Sequence, residues 1–374
     1  MGRVSALFYA TRYAVSLMGT EHVAQIDVWL AQALACGASD LHVRAGMPPL
    51  IRVHGRLQPL PNVSEMEGYE AALLALLTES QRQLFVERND LDFAYEIPTI
   101  GRFRVNLLRQ HQGVGAVFRL LPNRLRTLEE LGLPQVVYTL ARLEQGLVLV
   151  TGPTGCGKST TLAAIIDHIN QESDKHIVTI EDPLEFIHQS KKSLVTQREV
   201  GAHTMSYAAA LRAVLREDPD IILLGELRDL ESISLATTAA ETGHLVFGTL
   251  HTRTAASTVD RLIDVFPSEQ QSQIRTMLAE TLRGVIAQQL LIRADGEGRV
   301  IAAEILVGTT ALANLIREGK TYQIPSLIQT GRREGMQTMD QAILDLLRRK
   351  LITPEEAYRK AIDKDTYRQY LERL

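Results

Sequence analysis

The sequence predicts an α/β protein in two parts, a small α+β domain followed by a larger parallel α/β domain. Three observations predict this. Over residues 21–121 short segments alternate apolar and polar residues between turn signals, as an antiparallel sheet with one covered face requires. Beyond residue 134 the strands become continuous apolar runs, GLVLVTG, HIVTIED, IILLGE and HLVFGTLH, separated by helical sequence, which calls for a parallel sheet covered on both faces. The third is GPTGCGKST, set between the first of those runs and a helix. The 374 residues suffice for two or three domains at roughly 150 residues each.

The elements follow in order. Residues 1–20 read as a flexible extension. The stretch MGRVSALFYATRYAVSLMG is apolar, but Arg12 interrupts it and no clean cleavage site follows, so Met18 is taken as the natural start. Val23, Ile26, Leu30 and Leu34 lie on one helical face, and Gly37 ends that helix. SDLHVRAG opens a strand, and PLIRVHGRLQPL alternates around His54-Gly55 as a hairpin. EGYEAALLALL and ESQRQLFVER are helical. LDFAYEI, GRFRVNLLRQ and GAVFRLLP are three strands with short turns. Residues 122–134 read as a linker, with Pro122 and Pro134 flanking a short capped helix. From 135 to 374 come the parallel strands and their helices, a hairpin turning at Asp295–Gly298, and then mostly helix.

Composition limits the function. Forty-five per cent of residues are apolar and 22% charged, which suits a globular protein with a sizeable core. The formal net charge of −4 argues against a dedicated nucleic-acid binder. Cys36 and Cys156 form no CxxC pair, so neither a zinc module nor a disulfide framework is expected. No run of roughly eighteen uncharged apolar residues occurs, so no membrane-spanning helix is expected.

Gly152, Pro153, Thr154, Gly155, Cys156, Gly157, Lys158, Ser159 and Thr160 fit the phosphate-loop pattern in the strand–helix context that it requires. Glycines let backbone N–H groups converge on phosphate oxygens, and a helix N-terminus adds partial positive charge. Lys158 then reaches the β- and γ-phosphates, and the Ser159 hydroxyl faces Mg²⁺. ATP is preferred over GTP, because no guanine-selective motif is visible. TIEDPLEF places Glu181, Asp182 and Glu185 just beyond a buried strand, on the side where open α/β sheets bind ligands. A carboxylate there can coordinate magnesium directly or through water. In DPDIILLGELRD the position before Glu226 is Gly225, where a metal-holding acid is usual. Glu226 is therefore free to orient the attacking water and accept its proton. His244 and His251 bracket the next strand. His251, at its C-terminal edge, could sense loss of the γ-phosphate, whereas His244 at the other end is placed to serve an interface. Arg102 and Arg104 share one face of a strand.

GPTGCGKST, TIEDPLEF, DPDIILLGELRD and ETGHLVFGTLHT, in that order, resemble the secretion ATPases of type IV pili, type II secretion and related systems, and the resemblance runs from about Glu21 onward. GASDLHVRAGMPPLIRVHG, GRFRVN and LVTQREVG are similar to that family as well. ALANLIREGK and GMQTMDQAI resemble the branch that retracts pili. The resemblance implies a PAS-like N-terminal domain, a RecA-like ATPase domain and a homohexameric ring that uses ATP and Mg²⁺. It implies that the carboxylates of TIEDPLEF substitute for the missing acid, Glu185 assisting magnesium and water. It makes Glu226 the catalytic glutamate, and His244 and His251 a paired histidine motif. At least one of Arg102, Arg104 and Arg119 is expected to reach phosphate. The implied partners are an inner-membrane pilus platform protein and a paralogous retraction ATPase, with the ring in the cytoplasm at the inner face of the membrane and with neither nucleic acid nor membrane insertion. Ala313 departs from the Arg that the family usually has there. An accessory pilus ATPase or a type II/IV secretion ATPase with the same chemistry, or an ATP-binding regulatory ring with little turnover, are the alternative readings.

Overall fold

The computed structural model describes residues 21–371 apart from 54, 65–67, 99 and 122–123; the extension expected at 1–20 lies outside them. The chain divides after Arg124 into two units.

In the first unit helix α1 (Glu21–Ala35) is followed by strands β1 (Asp40–Val43), β2 (Leu50–Val53) and β3 (Arg56–Pro59), helices α2 (Tyr69–Ala75) and α3 (Glu79–Arg88), and strands β4 (Asp90–Ile97), β5 (Gly101–Gln110) and β6 (Gly113–Leu120). The six strands form one antiparallel sheet in the order β3-β2-β1-β6-β5-β4. Period-two alternation decides its faces. Phe103, Val105 and Leu107 of β5 are buried in a core with Ile26, Leu30, Phe85 and Phe118, while Arg102, Arg104 and Asn106 between them are not. Thr78 and Gln81 close a reciprocal cap at the start of α3.

The expected linker differs from its prediction. Thr127 and Glu130 exchange the reciprocal hydrogen bonds of a helix cap, at 3.1 Å each. Yet only a turn forms, because Gly132, at φ 66°, takes the left-handed conformation that ends it. Leu128, Leu131 and Leu133 are buried in the second unit's core, so this stretch packs instead of spanning a gap.

The second unit holds α4 (Val136–Ala141), β7 (Gly146–Thr151), α5 (Lys158–Glu172), β8 (His176–Glu181), β9 (Leu194–Glu199), α6 (Tyr207–Val214), β10 (Ile221–Leu224), α7 (Leu230–Glu241), β11 (Leu245–Leu250), α8 (Ala255–Asp264), α9 (Gln271–Thr281), β12 (Leu282–Ile292) and β13 (Arg299–Val307). Helices α10 (Thr310–Arg317), α11 (Ile324–Thr330), α12 (Met339–Arg348), α13 (Pro354–Lys360) and α14 (Lys364–Leu371) complete it. The sheet order is β13-β12-β7-β11-β10-β8-β9, parallel except for β13. Its apolar runs are buried on both sides, as their continuity requires. Leu147 and Leu149 face one core with Ile233 and Val259, and Val148 and Val150 face the other with Leu162 and Ile165. A third cluster packs Met339, Ile343 and Tyr367 of the C-terminal helices on Leu291 and Ala302 of the β12–β13 hairpin. Strand β9 went unread as a strand because LVTQRE, at the sheet edge, shows neither an apolar run nor a buried face.

Strands β7, β11, β10 and β8 are consecutive neighbours in the sheet. The segments after their C-terminal ends are the phosphate loop, His251, Glu226 and TIEDPLEF. Parallel pairing at about 4.8 Å per strand thus gathers four separated motifs along one edge.

Candidate active site

The phosphate loop leaves β7 at Thr151 and enters α5 at Lys158. The first turn of α5 has no side-chain cap and no acidic residue, so its amides are uncompensated, as phosphate binding requires. Gly152, at φ 142°, could not be replaced: a Cβ there would lie 2.3 Å from the Gln288 carbonyl oxygen and 2.6 Å from Cys156 Sγ. Lys158 Nζ donates to the carbonyls of Gly152 at 2.9 Å and Pro153 at 3.3 Å. Burial lowers its pKa, opposed by the thiol of Cys156 and the carboxylates of Glu226 and Glu185.

From Lys158 a continuous line of polar contacts leads to Glu226. Lys158 Nζ lies 3.4 Å from His251 Nδ1, His251 Nε2 lies 3.2 Å from Glu226 Oε1, and Arg228 lies 2.7 Å from Glu226 Oε2. The tautomer that satisfies both histidine contacts carries its proton on Nε2; it accepts from Lys158 and donates to Glu226. Two backbone bonds hold the Glu226 segment between its neighbours: Gly225 N donates to Ile180 O, and Leu227 N to Thr249 O. Gly225 sits where a side chain would be crowded. A Cβ there would approach Tyr207 Oη at 3.0 Å and the Glu181 Cα at 3.3 Å.

The carboxylates of TIEDPLEF take separate positions. Glu181 turns inward, accepting from Thr179 Oγ1 at 2.8 Å. Asp182 is exposed and acts electrostatically on Tyr207 and Arg228. Glu185 acts on Lys158 and Glu181. Among the described residues no group of three His, Cys, Asp or Glu side chains could hold a metal. What exists is a small, partly open cavity of about 30 Å³ lined by Ser159, Glu181, His188, Gly225 and Thr249, among others. That is room for a water molecule. His188 Nδ1 is buried there without a partner, and burial pushes that imidazole down to about 4. A hydroxyl, a carboxylate and a water-sized space suit Mg²⁺, which keeps several waters and takes few protein ligands.

Burial pushes the Glu181 carboxyl up from 4.5 to about 7. A carboxyl so raised keeps its proton in the fold where the unfolded chain has lost it, so stability falls as pH rises across that interval and stays lower above it. At about 1.4 kcal/mol per unit the loss is on the order of 3 kcal/mol. Glu181→Gln is therefore expected to raise the melting temperature of the nucleotide-free protein at about pH 8 and to change it little near pH 5. Equal effects at both pH values would show that Glu181 carries no proton in the fold.

His244 is not brought to this edge. It sits at the start of β11, where its Nδ1 and backbone N–H both meet the Ala239 carbonyl at the end of α7. The three arginines lie in the first unit, each beside a carboxylate of its own sheet. Arg102 pairs with Glu96 at 3.4 Å, Arg104 with Asp92 at 3.5 Å, and Arg119 donates to Asp40 at 2.9 Å. Burial raises the Asp40 carboxyl, but hydrogen bonds from Ser39 and Arg119 outweigh it and hold it below the usual range. Arg104, Arg119, Asp40 and Arg52 form one cross-strand row. A phosphate recruited by these arginines has to compete with those carboxylates. Ala313 lies half-buried on α10 against the second unit's core. Sequence reasoning missed Arg228, although it lies two residues from Glu226 in GELRD, and it missed Gln288, for which no local signal exists.

An uncapped phosphate loop at the C-terminal edge of a parallel sheet, with a lysine and a glutamate linked across it, defines a P-loop ATPase. The chain belongs to the Type II/IV secretion system protein family, which it matches over residues 20–361. It is 53% identical over 334 residues to the type IV pilus retraction ATPase PilT of Pseudomonas aeruginosa, covering 89% of this chain and 96% of that protein. It is also 53% identical to a twitching motility protein of Neisseria gonorrhoeae over 315 residues, 84% of each chain. The crystal structure of the pilus retraction motor PilT with bound ADP superposes with a TM-score of 0.83 at 46% identity, covering 92% of this chain and 97% of that one. The mixed α/β class, with an N-terminal domain ahead of an ATPase domain, is the one expected.

Proposed function

We propose that this protein is a motor that spends ATP to retract type IV pili, as a homohexameric ring at the cytoplasmic face of the inner-membrane platform. The observation that carries the proposal is the line Lys158–His251–Glu226, in a chain so similar to a retraction motor.

In the proposed mechanism, Lys158 exchanges the carbonyls of Gly152 and Pro153 for the β- and γ-phosphates of ATP, and its contact with His251 Nδ1 loosens. Ser159 and, through water, Glu181 would hold Mg²⁺, with Glu185 beside them; bound there, the ion neutralises charge developing on the phosphates. Glu226 orients the attacking water and takes its proton, while the His251 Nε2–H and Arg228 keep the carboxylate aimed. Departure of the γ-phosphate lets Lys158 return to His251. That histidine thereby reports the nucleotide state to Glu226 and to the segment beyond β11. Rings built from one repeated interface give every subunit the same two neighbours, so the signal has a path to the next site. No helix among the described residues is long and apolar enough to cross a membrane.

The test is pilus retraction in a deletion strain of the source organism, followed by microscopy of labelled pili. Static, extended pili that retract again when the wild-type gene is returned are the expected result. Normal retraction without the protein would sink the motor reading, even if the ATPase activity survives.

A further inference from the structure

Gln288 lies on β12, beside the strand that feeds the phosphate loop; the register sets Ala287 against Thr151. Its side chain is 1% exposed. Its Oε1 accepts from Thr161 Oγ1 at 2.9 Å, and its Nε2 donates to the Cys156 carbonyl at 2.8 Å. Thr161, in the first turn of α5, is itself fully buried. The amide orientation is forced, because the reverse would set the Gln288 oxygen against the Cys156 oxygen. The loop also closes on this residue sterically. The Gln288 backbone oxygen occupies the space a Cβ on Gly152 would need, and its Nε2 lies 3.4 Å from the Cβ position of Gly157.

A trans peptide directs its C=O and N–H to opposite sides. A Cys156 carbonyl tied to Gln288 therefore turns the Gly157 N–H away from β12, toward the concave side of the loop. We propose that Gln288 is a positioning residue for the nucleotide: its amide locks the Cys156–Gly157 peptide and the first turn of α5 so that loop amides point at phosphate before ATP arrives. The inference rests on the reading that residues 152–160 hold the nucleotide. It deepens that reading by naming what preorganises the loop, and it accounts for a buried amide that no packing argument requires. With the bond lost, the peptide is free to turn, and a phosphate oxygen loses its donor.

The test compares purified wild type with Gln288→Met, Gln288→Glu, Thr161→Val and Lys158→Ala, measuring Mg·ADP affinity and steady-state ATPase kinetics on the folded fraction. Gln288→Met keeps the shape without the hydrogen bonds, and Gln288→Glu can no longer donate to Cys156 once ionised. Misplacing a reacting group by ~1 Å can cost ~10²-fold, so both are expected to weaken ADP binding and lower kcat by about tenfold or more. Thr161→Val leaves the bond to Cys156 but frees the amide to swing, with a smaller loss in the same direction that Thr161→Ser restores. Thr161→Val decides the matter if the Gln288 variants do not fold. A merely structural role would lower the melting temperature and leave affinity and kcat of the folded protein unchanged, and that outcome overturns the inference. ADP binding by Lys158→Ala at wild-type strength would instead overturn the reading of the loop itself, and the inference with it.

Discussion

Glu226→Gln is expected to lower steady-state ATP turnover by roughly 10²–10⁴-fold, the range that a positioned general base supplies. Mg·ADP affinity is expected to stay close to wild type. The substitution keeps the size of the side chain and an oxygen that can accept from His251 Nε2. It removes the basicity, and it sets an amide N–H₂ against Arg228, which now holds Glu226 Oε2 at 2.7 Å. Binding and chemistry therefore separate in this variant. Gly225 leaves no second acid directly before Glu226 to take over, and a side chain there would be crowded by Tyr207 and Glu181. A coupled ATPase assay beside ADP titration checks both halves. Turnover within a few-fold of wild type would remove Glu226 from the reaction and leave its position at the strand end without a chemical reason.

Lys158→Ala is expected to remove measurable turnover and to weaken nucleotide binding as well. A hydrogen bond to a charged group is worth roughly 1.5–3 kcal/mol, so losing even one phosphate contact raises the dissociation constant by at least about tenfold. The substitution also leaves the carboxylates of Glu226 and Glu185 without the cation they now face. Lys158→Arg is not expected to rescue. The ammonium sits between the Gly152 and Pro153 carbonyls as a compact point charge, and a planar guanidinium fork does not fit that role. Isothermal titration with Mg·ADP is the measurement. Wild-type affinity in Lys158→Ala would place the nucleotide elsewhere.

These effects follow from motifs that could be read directly. GPTGCGKST is contiguous, so its chemistry is written in neighbouring residues. The strands were legible for a similar reason. The β7 and β11 cores are unbroken apolar runs because both faces of each are covered, and Phe103, Val105 and Leu107 alternate because β5 has one covered face. Glu226 was visible as the carboxylate at the end of such a run. Less legible was what surrounds each group. TIEDPLEF offers three carboxylates in one short stretch, and the sequence does not show that Glu181 turns inward to Thr179 while Asp182 stays in solvent. His244 and His251 bracket one strand, as their spacing implies, but only the structure shows that His251 joins Lys158 to Glu226 while His244 meets the Ala239 carbonyl. Thr127 and Glu130 form the hydrogen bonds of a cap, yet Gly132 stops the helix that they would begin.

By itself, then, the sequence determined the two-part α/β class, the parallel order of strand and helix in the second part, and the identity of the phosphate loop and the carboxylate that follows β10. All of these depend on periodicity or on residues within one turn of each other. The tertiary structure alone decided which side chains meet. Sheet order placed His251 between Lys158 and Glu226, because β11 lies between β7 and β10 although it follows both in sequence. It likewise brought Gln288 under the Cys156 carbonyl from 132 residues away. Contacts of this kind are set by strand pairing and burial across the whole sheet, and no local pattern in the chain records them.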